Sequence, residues 1–507
     1  MLEHTPHHHI TRKLKRTLFL TIGGGIVLAA LLTAGILIIT SVINKDMERN
    51  QQTAQTDVKQ ALALQEDFTL PTNTSNVPAE LDPSTLVDVV AKNQPAVVRI
   101  LSIYCANLTL SHSDQTEILK DTCAAGVGSG SIVSSDGYIA TNGHVAIVTP
   151  KQSLLAWLND DTHIDQYVAF LLAAGLVSES DGALLTAGTA RSSELLQSTV
   201  SQLPADLLKA TAATTLYAVQ LGNDPVRMVR DGERLSVDFS DTIVSATLID
   251  QDYNPEASDA ALTTGQFTTS DVALLKAEGS FPYVRLGSIN TVEPGDRLTA
   301  IGFPAFIDNS VNTDQWQTIP SITQGEVKDI SLDATVNGRK IISTSVQIAQ
   351  GNSGGPSFND DGEQIGINTY SDLQCEDLKC FGDGLVRDIA DLKALIDRNH
   401  ITLKTGGIND DWYEGLDAYQ SANYATALTA FQKVQNEYPA NYLVAPLARH
   451  AREQLGTNTD TSSAFQARTV VVIVLVIVAG IALVIIFTVS FLVVYFTRKH
   501  RRMAARS

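Results

Sequence analysis

The chain has 507 residues, 44% of them hydrophobic and 18% charged, with a formal net charge of −19. That length holds two or three domains with a sizeable core. The acid excess argues against nucleic acid as a partner, and the absence of a phosphate loop, metal motif or cofactor fingerprint leads us to expect no cofactor.

In chain order, residues 1–17 form a basic tail. Its "HTPHHH" reads as a solvated tail or an expression remnant rather than a metal site. Residues 18–43 carry no charge and exceed the roughly 20 residues needed to cross a bilayer. They are too long for a signal-peptide core and are read as a retained transmembrane helix. The "GGG" at 23–25 falls inside this span, where close helix packing explains it. Residues 470–496 form a second charge-free span. Arg12, Lys13, Lys15 and Arg16 precede the first, while Arg498, Lys499, Arg501 and Arg502 follow the second, in a cytoplasmic tail expected at 497–507. Excess lysine and arginine marks the cytoplasmic side. A two-pass protein of the cell membrane is therefore expected, both termini cytoplasmic, with the lipid bilayer as partner and the acidic middle outside.

Residues 44–84 read as a stalk and linker: polar text with helical spacing, then "TLPTNTSNVPAELDPST", rich in turn formers. The domain expected at 85–400 begins with a short helix that becomes an apolar strand after Pro95. "GVGSGSIVSSDGYIATNGHVA" reads as strand, Ser-Asp-Gly turn and strand. Residues 151–221 carry apolar residues at three- and four-residue spacing, and a helical insertion is expected there. Strand-like text resumes to about Tyr370, and "DIADLKALIDRNH" predicts a closing helix. Cys105, Cys123, Cys375 and Cys380 all lie in the outer part. In an oxidising compartment they pair locally as 105–123 and 375–380; free thiols are the alternative, and the spacing does not suit zinc.

From 408 to 456, Gly415, Tyr424, Ala427, Phe431 and Pro439 stand at the offsets of a tetratricopeptide (TPR) repeat. One repeat and the first helix of another fit. The unit is read either as a seat for a protein partner or as a plain helical hairpin, and a linker at 457–469 follows it.

"IAQGNSGGPSF" sets Ser353 among glycines after an apolar strand pattern. A nucleophilic serine needs a base within about 2.6–3.2 Å. Of the histidines before it outside the tail, His112 lies in a polar loop and His163 in the helical insertion. His144 ends the strand of "YIATNGHVA", a rigid mount. "TTSDVALLKAEG" places Asp271 just before an apolar strand, where a buried carboxylate would hold one imidazole tautomer. "GNSGG" also fits the nucleophile elbow of α/β-hydrolases, with Asp391 and His400 as partners. That fold requires a helix after the serine, and Pro356 and the Asp-Asp-Gly turn break it.

With those residues in hand, residues 84–396 resemble the trypsin-like serine proteases of the HtrA/Deg type. "NQPAVVRI", "GSGSIVSSDGYIATNGHV", "SDVALLKAEG", "RLGSINTVEPGDRLTAIGFPA", "SITQGEVKDI" and "GNSGGPSFNDDGEQIGINT" match that family's blocks in order. The resemblance implies an all-β double barrel of trypsin-like fold, here with a helical insertion, a C-terminal TPR-like helical unit and two transmembrane helices. It implies His144 as general base, Asp271 as its orienting acid and Ser353 as nucleophile. The N–H groups of Gly351 and Ser353 would form the oxyanion hole, and Gln347 would lie at the base of the specificity pocket. Without an acid at 347, a small or medium apolar side chain is the expected preference. The implied function is a membrane-anchored serine endopeptidase acting through an acyl-enzyme on proteins or peptides outside the cytoplasm, and an oligomer is compatible with it.

Three features depart from the family. His144 and Asp271 are far apart in sequence because of the helical insertion, which serves as a lid or as decoration. TPR-like helices and a second span stand where a PDZ module is common. The position six before the nucleophile, at the base of the specificity pocket in this fold, is Gln347 and not an acid. The alternative is a catalytically silent trypsin-like scaffold that binds proteins through its insertion and TPR-like unit.

Overall fold

The structure, a computed structural model, describes residues 83–504 except 188–193, 205, 233, 256–268, 304–318, 334–338, 349–350, 372–373, 377–378, 382 and 458. The expected first span at 18–43, the tail before it and the stalk and linker as far as residue 82 lie outside the described residues. The described residues divide into two compact units, residues 83–416 with 429–449, and residues 417–428 with 450–504.

In the larger unit, helix α1 (Pro83–Asn93) stops at a 3-10 turn containing Pro95, which lacks the N–H a further helical turn needs. The chain then runs into the long hairpin of β1 (Val97–His112) and β2 (Gln115–Ile132). Cys105 and Cys123 stand directly opposite in its register and form a disulfide. The Ser134–Gly137 turn leads to β3 (Tyr138–Thr141) and then the helical turn α2 (Gly143–Ala146). Gly137 takes φ +95°, and a Cβ there would lie 2.2 Å from the Ala277 carbonyl oxygen, so only glycine fits.

Helices α3 (Pro150–Trp157), α4 (Asp161–Ala173), α5 (Glu179–Thr186) and α6 (Glu194–Ser201) make up the insertion. Thr149 and Gln152 cap α3 reciprocally, and Ser178 caps α5. Leu154, Tyr167, Leu171, Leu185 and Val200 form one buried cluster with Leu108, Leu110 and Leu119 of the hairpin. Each fully buried side chain of this size contributes about 1.5–3 kcal/mol, so the insertion is anchored to the outer half of β1 and β2.

The helical reading of 151–221 is corrected at its end. Leu208–Gln220 is strand β4, paired antiparallel with β1 from Leu208 opposite Leu110 to Gln220 opposite Arg99. Its first half is exposed and rich in alanine and threonine, so no two-residue alternation marks it; pairing with β1 decides the conformation. A small hairpin, β5 (Met228–Asp231) and β6 (Arg234–Val237), precedes β7 (Ile243–Asp252) and β8 (Val272–Ala277). The first barrel closes in the order β1-β2-β3-β8-β7-β4.

The second half contains β9 (Arg285–Leu286), β10 (Arg297–Gly302), β11 (Ser321–Asp333), β12 (Arg339–Thr344), β13 (Pro356–Phe358) and β14 (Glu363–Ser371). The ladder of β15 (Gln374–Glu376) and β16 (Lys379–Phe381) sets Cys375 opposite Cys380, and β17 (Gly384–Asp388) completes the sheet. Strands β13-β10-β11-β12-β17-β14 close on themselves through β13 and β14, with β9 added parallel to β14. Two closed six-stranded barrels thus match the expected double barrel. One apolar cluster runs from Val98 and Ile139 in the first to Ile301 and Ile367 in the second.

Helix α7 (Ile389–Arg398) follows β17, with Asp388 accepting the Ala390 N–H at 2.9 Å. Helices α8 (Gly407–Gln420), α9 (Tyr424–Glu437) and α10 (Val444–Gln454) occupy the segment expected to be helical. Within the larger unit, Trp412 donates to the Ala91 carbonyl at 2.9 Å and Tyr438 to the Leu221 carbonyl at 3.2 Å. Asn409 bonds both backbone groups of Tyr283. Gly415 leaves room for the Phe431 ring, which a Cβ would approach to 2.6 Å. In the smaller unit, Tyr419 and Tyr424 pack edge to face, and the Thr461 N–H at the start of α11 (Thr461–Ala504) donates to the Ala422 carbonyl. Val474–Met503 of α11 is the one stretch among the described residues long and apolar enough to cross a bilayer, with mean hydropathy 3.0.

Burial pushes the Asp391 carboxyl in α7 up to about 6; Arg339 and Arg387 pull it down, while Asp388 and Asp252 add to the rise. The folded chain therefore keeps a proton on Asp391 at pH values where the unfolded chain has lost it. That stabilisation is full below about pH 4 and is lost as the pH rises through about 6. Asp391→Asn removes this contribution. Chemical unfolding at pH 5 and pH 7.5 should show a smaller difference in the variant than in the wild type, and equal differences would contradict the assignment.

Candidate active site

The site forms where β3, β8, β14 and the loop before β13 converge. His144 sits in the helical turn α2, not on the strand end itself. Ile147 N–H bonds the Gly143 carbonyl at 2.8 Å, so the chain coils once as it leaves β3. The turn approaches Tyr253 so closely that a Cβ on Gly143 would lie 2.1 Å from that residue's Cβ. The rings of Tyr253 and His144 lie edge to face, with centroids 6.4 Å apart.

Asp271 directly precedes β8, as expected, and is 1% exposed. Its φ of +55° is unusual for any residue other than glycine. Its backbone is held from two sides: the N–H donates to the Asp252 carbonyl at 2.9 Å, and the carbonyl accepts from the Asn142 amide at 2.8 Å. The carboxylate accepts three bonds. Oδ1 takes the His144 backbone N–H at 2.9 Å; Oδ2 meets His144 Nδ1 at 2.8 Å and takes the Thr369 hydroxyl at 2.8 Å. A buried carboxylate without such donors is costly. Here three bonds offset that cost and orient the imidazole, so that Nδ1 carries the proton toward Asp271 and Nε2 is left as the acceptor.

Ser353 lies between Gly351 at φ +93° and Gly354 at φ +86°. A Cβ on Gly354 would lie 2.2 Å from both the Ser129 carbonyl oxygen and the Thr141 hydroxyl. Strand β2 holds this loop: Ser129 N–H donates to the Ser353 carbonyl at 2.8 Å, and the Ser129 hydroxyl donates to the Gly351 carbonyl at 2.7 Å. The Ser353 hydroxyl donates to the Thr369 carbonyl at 2.8 Å. Thr369 thus touches Ser353 through its backbone and Asp271 through its side chain, bringing the three sequence-identified residues around one point of β14. Gln347 is exposed on the segment between β12 and Gly351. The disulfide pair Cys105–Cys123 belongs to the β1–β2 hairpin rather than to the site.

Sequence reasoning missed Thr369, Asn142 and Ser129. Asn142 stands two residues before His144, a polar residue at a buried strand end that a search near the histidine finds. Thr369 and Ser129 carry no such mark, because their roles depend on which strand lies beside which.

Residues 128–367 match the family profile of the trypsin-like peptidase domain. A probable periplasmic serine endoprotease, DegP-like, of Ectopseudomonas mendocina (strain ymp) is 42% identical over 101 residues, 20% of this chain and 19% of that protein. Serine protease HTRA1 of Xenopus tropicalis is 36% identical over 143 residues, 28% of this chain and 27% of that protein. Putative protease Do-like 14 of Arabidopsis thaliana is 34% identical over 111 residues, 22% of this chain and 24% of that protein. The matches thus span only about a quarter or less of the curated relatives' length. With the two barrels, they identify the region as a trypsin-like serine peptidase domain of the HtrA/Deg type.

Thr369→Val keeps the side chain's shape and removes a donor to a buried carboxylate. It should destabilise the fold by about 1–3 kcal/mol at neutral pH, read by chemical denaturation; a loss below a few tenths would show that the bond carries nothing.

Proposed function

We propose that this chain, whose residues 128–367 match the trypsin-like peptidase domain and whose relatives are of the HtrA/Deg type, is a membrane-anchored serine endopeptidase acting on extracytoplasmic proteins or peptides. The observation that carries the reading is the shared buried carboxylate: Asp271 binds both the ring and the backbone of His144, and the Thr369 that it also binds holds the Ser353 hydroxyl. In this mechanism Ser353 Oγ turns from the Thr369 carbonyl toward His144 Nε2, gives up its proton and attacks the scissile carbonyl carbon. Asp271 stabilises the imidazolium that forms. The N–H groups of Gly351 and Ser353 receive the oxyanion, a contribution whose loss costs about 2.7–4 kcal/mol in typical cases. The proton on His144 passes to the leaving amine, and water, deprotonated by the same imidazole, releases the acid from the acyl-enzyme. Gln347, uncharged at the pocket base, goes with small or medium apolar side chains at the cleaved position.

The layout we propose keeps a protease domain at 85–400 and a TPR-like unit at 408–456 between two membrane spans. The apolar length of α11 and the basic residues after it support a cytoplasmic C-terminus. A protease held at both ends works close to the bilayer, on misfolded envelope proteins or neighbouring membrane proteins, and the TPR-like helices are the seat for a protein partner.

The test is fluorophosphonate labelling of the full chain in detergent micelles, beside Ser353→Ala and His144→Ala. Wild type should label and both variants should fail to label while keeping the wild-type thermal transition. A folded wild type that does not label would overturn the endopeptidase reading in favour of a silent scaffold.

A further inference from the structure

Asp271 is held in a left-handed backbone conformation that L residues adopt uncommonly, aspartate more often than most. Something outside the residue must keep it there. The main restraint is Asp252, the last residue of β7. Its carbonyl receives the Asp271 N–H at 2.9 Å. Its carboxylate Oδ2 receives the Ser270 hydroxyl at 2.6 Å and the Ser270 N–H at 3.2 Å. The turn that delivers Asp271 is therefore wrapped around one carboxylate of the first barrel.

The same oxygen has a further donor from the other barrel. Arg339, the first residue of β12, places Nη1 2.6 Å from Asp252 Oδ2 and 3.4 Å from Asp391 Oδ1 in the first turn of α7. Burial works to raise the Asp252 carboxyl, but the bonds from Ser270 and Arg339 outweigh it and hold it below the ordinary carboxylate value. Arg387, Asp388 and Asp252 are the other charged groups acting on Asp391. Arg339 also borders a cavity of about 380 Å³ with Lys340, Lys393, Asn290 and Ser288, so solvent reaches the guanidinium.

We propose that Arg339 is a positioning residue for the Asp271–His144 pair, clasping Asp252 across the two barrels so that the Ser270–Asp271 turn, and with it the Asp271 carboxylate, is fixed in direction. The role rests on the endopeptidase reading given above. Its currency is geometry rather than global stability. A half-exposed ion pair adds little to folding, whereas a displacement of a catalytic group by about 1 Å can cost roughly a hundredfold in rate. The second pairing matters because the same Nη1 is also attracted to Asp391 of α7, at 3.4 Å, which adds a restraint on the head group. Lysine at 339 reaches Asp252 as a flexible point charge but lacks the planar, pre-organised guanidinium, so it fixes direction less well.

The test compares full-length wild type, Arg339→Gln, Arg339→Lys and Asp252→Asn in detergent. Arg297→Gln, which breaks the ion pair with Asp360 elsewhere on the second barrel, is the control. Arg339→Gln should slow fluorophosphonate inactivation by roughly tenfold to a hundredfold, and lower kcat on a casein-derived peptide with KM little changed. Arg339→Lys should recover part of the rate, and the control should stay within about twofold. Independently of activity, the low-field proton resonance of His144 Nδ1–H, identified by its loss in His144→Ala, should shift or broaden in Arg339→Gln. A wild type that shows this resonance but does not label defeats the endopeptidase reading alone, and the resonance in Arg339→Gln then decides the clasp. Unchanged rate and resonance in a folded Arg339→Gln overturn the clasp. Should that variant not fold, Asp252→Asn, which keeps an acceptor for Ser270 and removes the charge, is read the same way.

Discussion

The site depends on one buried carboxylate. Asp271 is almost fully removed from water, and it is tolerable there because three donors meet its two oxygens: backbone and ring of His144, hydroxyl of Thr369. The donors come from two distant segments, His144 after β3 and Thr369 of β14, so the carboxylate orients the imidazole and also ties β3, β8 and β14 to a common point. Burial and orientation are the same arrangement. A more exposed aspartate would need fewer partners and would direct the ring less strictly.

The two barrels meet around this point. Strand β2 of the first barrel holds the Gly351–Gly355 loop of the second through Ser129, whose hydroxyl bonds the Gly351 carbonyl and also receives the Phe303 N–H at 2.8 Å. Arg339 reaches back from the second barrel to Asp252 in the first. The nucleophile and the base are therefore mounted on opposite bodies and registered by contacts made in both directions. The insertion lies outside this arrangement. It buries its apolar face against the outer half of the β1–β2 hairpin and has its own hydrophobic cluster.

The glycines near Ser353 show how local sequence and tertiary packing join. The positive φ of Gly351 and Gly354 is a property of residues without a Cβ, readable in "GNSGG". Why Gly354 must be glycine is a tertiary fact, because the atoms that exclude a Cβ belong to Ser129 and Thr141, more than two hundred residues earlier.

The sequence, through its resemblance to the trypsin-like serine proteases, pointed to the double barrel; it also picked out His144, Asp271 and Ser353 as candidates, offered Cys105–Cys123 pairing beside free thiols, and carried an apolar stretch near residue 480 long enough to span a bilayer. These are written in short contiguous signals: a Gly-rich turn, an aspartate opening an apolar strand, an uncharged run. The tertiary structure decided that Leu208–Gln220 is a strand, because its alanine and threonine residues carry no period and only the hydrogen bonds of β1 choose for them. It also decided that Thr369, Ser129 and Arg339 belong to the site's surroundings. Their importance lies in what they meet across the barrels, and contacts between distant segments leave no periodic or compositional trace along the chain.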